Sequence, residues 1–163
     1  MKKHIFMALL LTSWMSSLIA HQKHVHGEGN LDVAIEKSTL SIMLTLPLDV
    51  LVGFERAPKN DKEKAALALA EKTLRDATAL WILPPAANCR IESTQVRLPK
   101  FEGGHADINA DYVFHCNDPN VLKSIETTLF KAFKRLYRLD VQRIGPTGQG
   151  AARLSPNRPR LNW

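Results

Sequence analysis

Apolar and polar positions alternate along several stretches of the chain, and a period of two marks strands. Leu31, Val33 and Ile35 alternate with Asp32, Ala34 and Glu36; after Lys37-Ser38, Leu40, Ile42, Leu44 and Leu46 repeat the pattern up to Pro47. Two such runs about a tight turn predict a β-hairpin with one buried face. The clearest alternation runs from Gly103 to Asn117. Ala106, Ile108, Ala110, Tyr112, Phe114 and Cys116 fall on one side; His105, Asp107, Asn109, Asp111 and His115 fall on the other, with Val113 the one apolar residue among them. Cys89 to Leu98 reads as a further strand whose irregular alternation suggests a bulge near Thr94–Gln95. Leu139 to Ile144 and Gln149 to Leu154 form a closing hairpin around Gly145-Pro146-Thr147-Gly148.

Elsewhere the period lengthens. Leu48 to Pro58 follows neither period and reads as a packed connection. Asn60 with Glu63 has the spacing of a capping box, and Leu67, Ala70, Leu74, Ala77 and Trp81 make one apolar stripe. These predict a helix from Asn60 to Trp81. Asp118-Pro119 predicts the start of a second, with proline at its first position and a stripe of Leu122, Ile125, Leu129, Phe133 and Leu136. Lys131, Lys134, Arg135 and Arg138 then read as partners of that helix's carboxyl end, with contact to a membrane or lipopolysaccharide as the alternative. The tail from Pro156 to Trp163 is expected to lie across the surface. The expected order is ββ-α-ββ-α-ββ: an α+β fold with an antiparallel sheet and two helices packed on one face, a two-layer sandwich.

The first twenty residues stand apart. Lys2 and Lys3 precede an apolar run from Ile5 to Leu11, and Ser16, Ser17 and Ala20 give a small-residue exit. Residues 1–20 therefore read as a secretory signal peptide, leaving residues 21–163 as a single domain outside the cytoplasm, in a bacterium the periplasm. The formal net charge of +6 falls to +4 once Lys2 and Lys3 are gone. Such a mild excess, with aromatic residues not interleaved among the basic ones, does not point to nucleic acid. No later apolar stretch is long enough to cross a bilayer. The two cysteines, Cys89 and Cys116, favour one disulfide in an oxidising compartment; two free thiols, one of them a metal ligand, are the alternative.

The candidate chemistry is metal binding. His24-x-His26 puts two imidazoles on one side of an extended chain, and His105-x-Asp107 has the same spacing on a strand. Alternate residues lie about 6.6–6.8 Å apart, so two rings of such a pair can converge on one ion. Two pairs together would form a His₃Asp set, which suits zinc better than calcium or magnesium. His21 would become the amino terminus after cleavage at Ala20, and its amine plus imidazole can grip copper, the competing metal. His115, ten residues from His105, is set aside as too distant. No G-x-S-x-G elbow, phosphate-binding glycine loop or H-E-x-x-H helix is present, so the chain is not expected to be an enzyme.

Several of these residues also carry a resemblance. Leu51-Val52-Gly53-Phe54-Glu55-Arg56-Ala57-Pro58, His24-x-His26-Gly27, Gly104-His105-Ala106-Asp107, Phe114-His115-Cys116, and Ile144-Gly145-Pro146 with Gly148-Gln149 resemble, in the same order, a ZrgA-like family of periplasmic zinc-regulated proteins. The resemblance implies a zinc-binding accessory to zinc acquisition, working with an energised import system. Members often carry a long His/Asp/Glu-rich insertion before the G-H-A-D strand; here Pro99 to Gly103 occupies that place, so a high-capacity zinc store is not expected. Arg56 stands where the family motif often has histidine. A protein-contact adaptor of the same fold, without metal, is the alternative.

Overall fold

The computed structural model describes residues 26–101 and 106–163. The expected signal peptide, His21, His24 and His105 lie outside these described residues. Lys37, with φ 53°, turns the chain between β1 (Glu28–Glu36) and β2 (Thr39–Pro47), which pair antiparallel with Glu36 opposite Thr39 and Asn30 opposite Thr45. The opening hairpin is as expected. On the other side of β2 lies β5 (Asp107–Cys116), with His115 opposite Thr39 and Asp107 opposite Pro47. Beyond it, β4 (Cys89–Arg97) forms one edge. Its register shifts between Ile91 and Ser93, nearer the start of the strand than expected.

The closing hairpin, β7 (Arg138–Gly145) and β8 (Gly148–Leu154), is also present. It joins β1 in parallel, so the six-stranded sheet is mixed, in the order β4-β5-β2-β1-β7-β8. That corrects the expectation of a purely antiparallel sheet. Parallel neighbours need a long crossover, and the segments between β5 and β7 provide one.

One face of this sheet carries the core. Leu40, Ile42, Leu44 and Leu46 of β2 are completely or almost completely buried, as are Ile108, Ala110 and Tyr112 of β5. Burying a Leu or Ile side chain stabilises by about 1.5–3 kcal/mol, which is why the period-two pattern determines which way each strand faces. Against this face packs α2 (Asp61–Arg75), whose Asn60 cap accepts from the Glu63 amide at 2.9 Å. Leu67, Ala70 and Leu74 are buried as the stripe implied. Tyr112 donates its hydroxyl to the Leu74 carbonyl at 2.7 Å and meets Trp81 edge-on, ring centroids 5.6 Å apart.

The helical regions depart most from expectation. The stretch predicted as a packed connection contains α1 (Leu48–Val52), closed by Gly53 at φ 86°. The first long helix breaks at Asp76, whose carboxylate caps α3 (Ala77–Leu80) through the Ala79 amide, and Trp81 begins β3 (Trp81–Ile82). The second helix is overturned. Asp118-Pro119 opens only a 3-10 turn over Pro119–Val121, followed by β6 (Ser124–Thr127) and α4 (Leu129–Ala132). Leu122, Ile125, Leu129, Phe133 and Leu136 are nevertheless all buried. Ile125 and Thr127 alternate with the half-buried Ser124 and Glu126, so period two competed with the helical stripe and prevailed. The tail supplies the reason: β9 (Arg160–Asn162) pairs with β6, with Leu161 opposite Ile125, and β3 pairs on the other side. Among the described residues, the element order ββ-α-ββ-α-ββ is thereby replaced by an α+β arrangement of four helices, a six-stranded sheet and a three-stranded sheet.

Cys89 and Cys116 form the expected disulfide between directly opposed residues of β4 and β5, with Cα atoms 3.9 Å apart. In the chain-entropy model, closing its 27-residue span stabilises by about 3–4 kcal/mol.

Candidate metal centre

The hairpin register determines what meets at the open end of β1 and β2. The pairing of Asn30 with Thr45 leaves His26, just before β1, and Asp49, just after β2 in α1, at the same end of the hairpin. Asp49 sits in the first turn of α1, between the buried Leu48 and Val50, with its carboxylate turned towards His26. Its Oδ2 lies 2.6 Å from His26 Nδ1. Glu55 Oε1, from the loop after α1, lies 3.9 Å from the same nitrogen. One donor atom from each of the three residues falls within 4.8 Å of the other two, the one such group among the described residues.

Each donor is fixed differently. His26 precedes Gly27, which adopts φ 81°; a β-carbon there would come within 2.3 Å of Tyr137 Cε1. The Gly27 carbonyl accepts from the Tyr137 amide at 2.9 Å, and Glu28 takes the Tyr137 hydroxyl at 2.9 Å together with an Arg138 ion pair. Asp49 is held by α1, where its backbone carbonyl accepts from the Gly53 amide at 2.8 Å. Glu55 is carried between the half-buried Phe54 and Arg56.

The electrostatics favour a cation. The His26 side chain is 80% exposed, whereas Asp49 and Glu55 are 19% and 21% exposed. His26 is held above its ordinary pKa of 6.5, first by the hydrogen bond to Asp49 and then by the charges of Asp49 and Glu55. Asp49 Oδ1 is buried with no hydrogen-bond partner among the described residues. A buried carboxylate oxygen without a donor is costly, and a cation held between the two carboxylates would offset that cost. Zinc accepts one imidazole and two carboxylates with bonds of about 2.0–2.2 Å, which places tetrahedral donors about 3.3 Å apart. The 2.6 Å contact must open and the 3.9 Å contact must close, each by less than about 1 Å. An imidazole among the donors argues against calcium and magnesium.

Of the residues singled out in the sequence, His26 belongs to this cluster, while His24 and His105 lie outside the described residues. Asp107 begins β5 opposite Pro47 and joins no three-donor group among the described residues. The remaining polar face of β5 is engaged across the sheet: Asn109 accepts from Thr45 Oγ1 at 2.9 Å, and Asp111 pairs with Arg97. His115 is at the far end of β5, opposite Thr39 and 3.9 Å from Glu92. Asp49 and Glu55 were missed because Leu48 to Pro58 reads as mere packing. A signal existed: the two-residue turn at Lys37-Ser38 implies a hairpin that leaves residues 26 and 49 at the same end.

The structure defines a disulfide-bonded α+β protein with one imidazole–carboxylate group among its described residues that could hold a metal ion. The chain belongs to the ZrgA family: residues 23–163 match the family described as ZrgA family zinc uptake protein. Membership gives it a role in zinc uptake. No curated protein matches the chain.

Proposed function

We propose that the protein is a zinc-binding accessory of zinc uptake that works outside the cytoplasm, in a bacterium the periplasm, and carries one zinc ion to an energised import system. It binds its cargo and does no chemistry on it. The observation that carries this reading is the cluster of His26, Asp49 and Glu55 in a chain of a zinc-uptake family. The disulfide suits an oxidising compartment, and no helix among the described residues is long and apolar enough to cross a membrane.

Three protein donors leave a tetrahedral ion one position short. We assign that position to water or to one of the histidines named from the sequence. His105 is a candidate from its H-x-D spacing with Asp107 in the sequence. His24 precedes His26 at the spacing that lets alternate side chains converge, and Asp107 stands nearest the site on β5. Zinc is preferred to copper because the family is one of zinc uptake; an imidazole with two carboxylates does not by itself select against copper(II).

Equilibrium dialysis against micromolar zinc tests the reading. The wild type should retain about one zinc per chain, His26→Ala should lose most of it, and His105→Ala and His24→Ala should weaken it if they complete the shell. A wild type that retains no zinc would rule out the carrier and favour a metal-free adaptor.

A further inference from the structure

The loop that carries Glu55 has no helix or strand between α1 and α2, yet it is tied down immediately beside that residue. Arg56 reaches the first turn of α2 with a two-pronged contact, Nη1 to Glu63 Oε2 at 2.6 Å and Nη2 to Glu63 Oε1 at 2.9 Å. Glu63 Oε2 also accepts the Lys59 amide at 2.7 Å. On the other side of Glu55, the Phe54 ring lies 5.0 Å from the Arg56 guanidinium carbon and packs against the core. Both chain neighbours of Glu55 therefore belong to one knot fastened to α2.

We propose that the Arg56–Glu63 fork is a positioning device for the zinc centre, holding the loop so that Glu55 faces the His26–Asp49 pair. The inference rests on the reading of these three residues as zinc donors. A planar guanidinium gripping both oxygens of a carboxylate fixes orientation as well as distance, which a lysine ammonium does not. Without it, residues 54–58 would lose conformational freedom only on binding metal, and that lost entropy would weaken affinity. The fork is not needed to start α2, because Asn60 already caps that helix through the Glu63 amide. Arg56 itself need not touch the ion.

Zinc affinity of the full chain, measured by competition with a chromophoric chelator, tests the proposal. Arg56→Ala and Glu63→Gln should each bind about tenfold more weakly, the lower end of the 10–100-fold lost when an outer partner of a metal ligand is removed. Arg56→Lys should recover less than half of that loss on a logarithmic scale. In a Glu55→Ala background, Arg56→Ala should have no further effect, because the residue it positions is gone. Wild-type affinity in Arg56→Ala, or an equal loss with and without Glu55, would overturn the proposal. If Arg56→Ala fails to fold, the Arg56→Lys and Glu63→Gln pair decides by the same criteria. The two levels remain distinguishable. Glu55→Ala binding zinc as the wild type does would refute the donor assignment itself; a weakened Glu55→Ala beside an unaffected Arg56→Ala would refute only the fork's role.

Discussion

Replacing Asp49 by asparagine should change the pH at which zinc leaves the protein. The His26 Nδ1–H donates to Asp49 Oδ2 at 2.6 Å, so a proton sits between two of the atoms that zinc would bridge. Binding must expel it. One imidazole in the cluster means one proton displaced: affinity should fall about tenfold per pH unit below the His26 pKa and level off above it. That pKa is raised above 6.5 chiefly by the Asp49 hydrogen bond, so the break in the plot should fall above 6.5 in the wild type. Asp49→Asn keeps the shape but removes the charge, and should move the break towards 6.5 while weakening the high-pH plateau. For folding, a raised native pKa means that the His26–Asp49 contribution is complete below 6.5 and disappears as pH rises through the native pKa. Calorimetric zinc titrations from pH 5 to 8, in two buffers of different protonation enthalpy, would count the protons released. The His26 ring proton resonance would report its pKa directly. A His26 titration unmoved by Asp49→Asn, or zinc affinity flat from pH 8 to pH 5, would refute the reasoning.

Other perturbations reach the fold and the site separately. Gly27→Ala places a β-carbon at φ 81° and 2.3 Å from the Tyr137 ring; it should destabilise by about 1–3 kcal/mol in urea denaturation and weaken zinc binding by displacing His26. Replacing Cys89 and Cys116 together by serine should cost about 3–4 kcal/mol from the 27-residue span, read from the thermal midpoint, with zinc stoichiometry kept because the disulfide lies at the other end of β5. Glu63, held down to about 2 from its usual 4.5 by Arg56 and the Lys59 amide, contributes stability that is complete above 4.5 and lost as pH falls towards 2. The gap in urea midpoint between wild type and Glu63→Gln should therefore be constant at neutral pH and shrink through that acid window.

Strands were the most legible part of the chain. Leu40 to Leu46 and Ala106 to Cys116 each bury alternate side chains as the pattern implied, because a half-buried sheet leaves no other way to satisfy period two. The segment from Pro119 to Leu136 misled for a physical reason. Leu122, Ile125 and Leu129 satisfy a helical stripe and end in the core, but the backbone of β6 is satisfied by β3 and β9. Pairing with a tail over thirty residues away leaves no local trace. Asp76 interrupted the first helix without a proline or glycine, by offering its carboxylate to the Ala79 amide. At the site, His26 was legible from composition. Asp49 and Glu55 were not, because they reach His26 through the chain fold around α1 rather than through any spacing of ligands. The polar face of β5 drew attention by its imidazoles and carboxylates, yet Asn109 and Asp111 serve cross-strand partners, the ordinary use of such residues in a sheet.

The central claim is that a zinc ion takes the place of the proton between His26 and the carboxylates of Asp49 and Glu55. Native mass spectrometry of the zinc-loaded wild type beside Asp49→Ala tests it most directly. The account predicts one zinc per wild-type chain and a largely zinc-free Asp49→Ala at the same metal concentration. Equal zinc occupancy in the two proteins would contradict it.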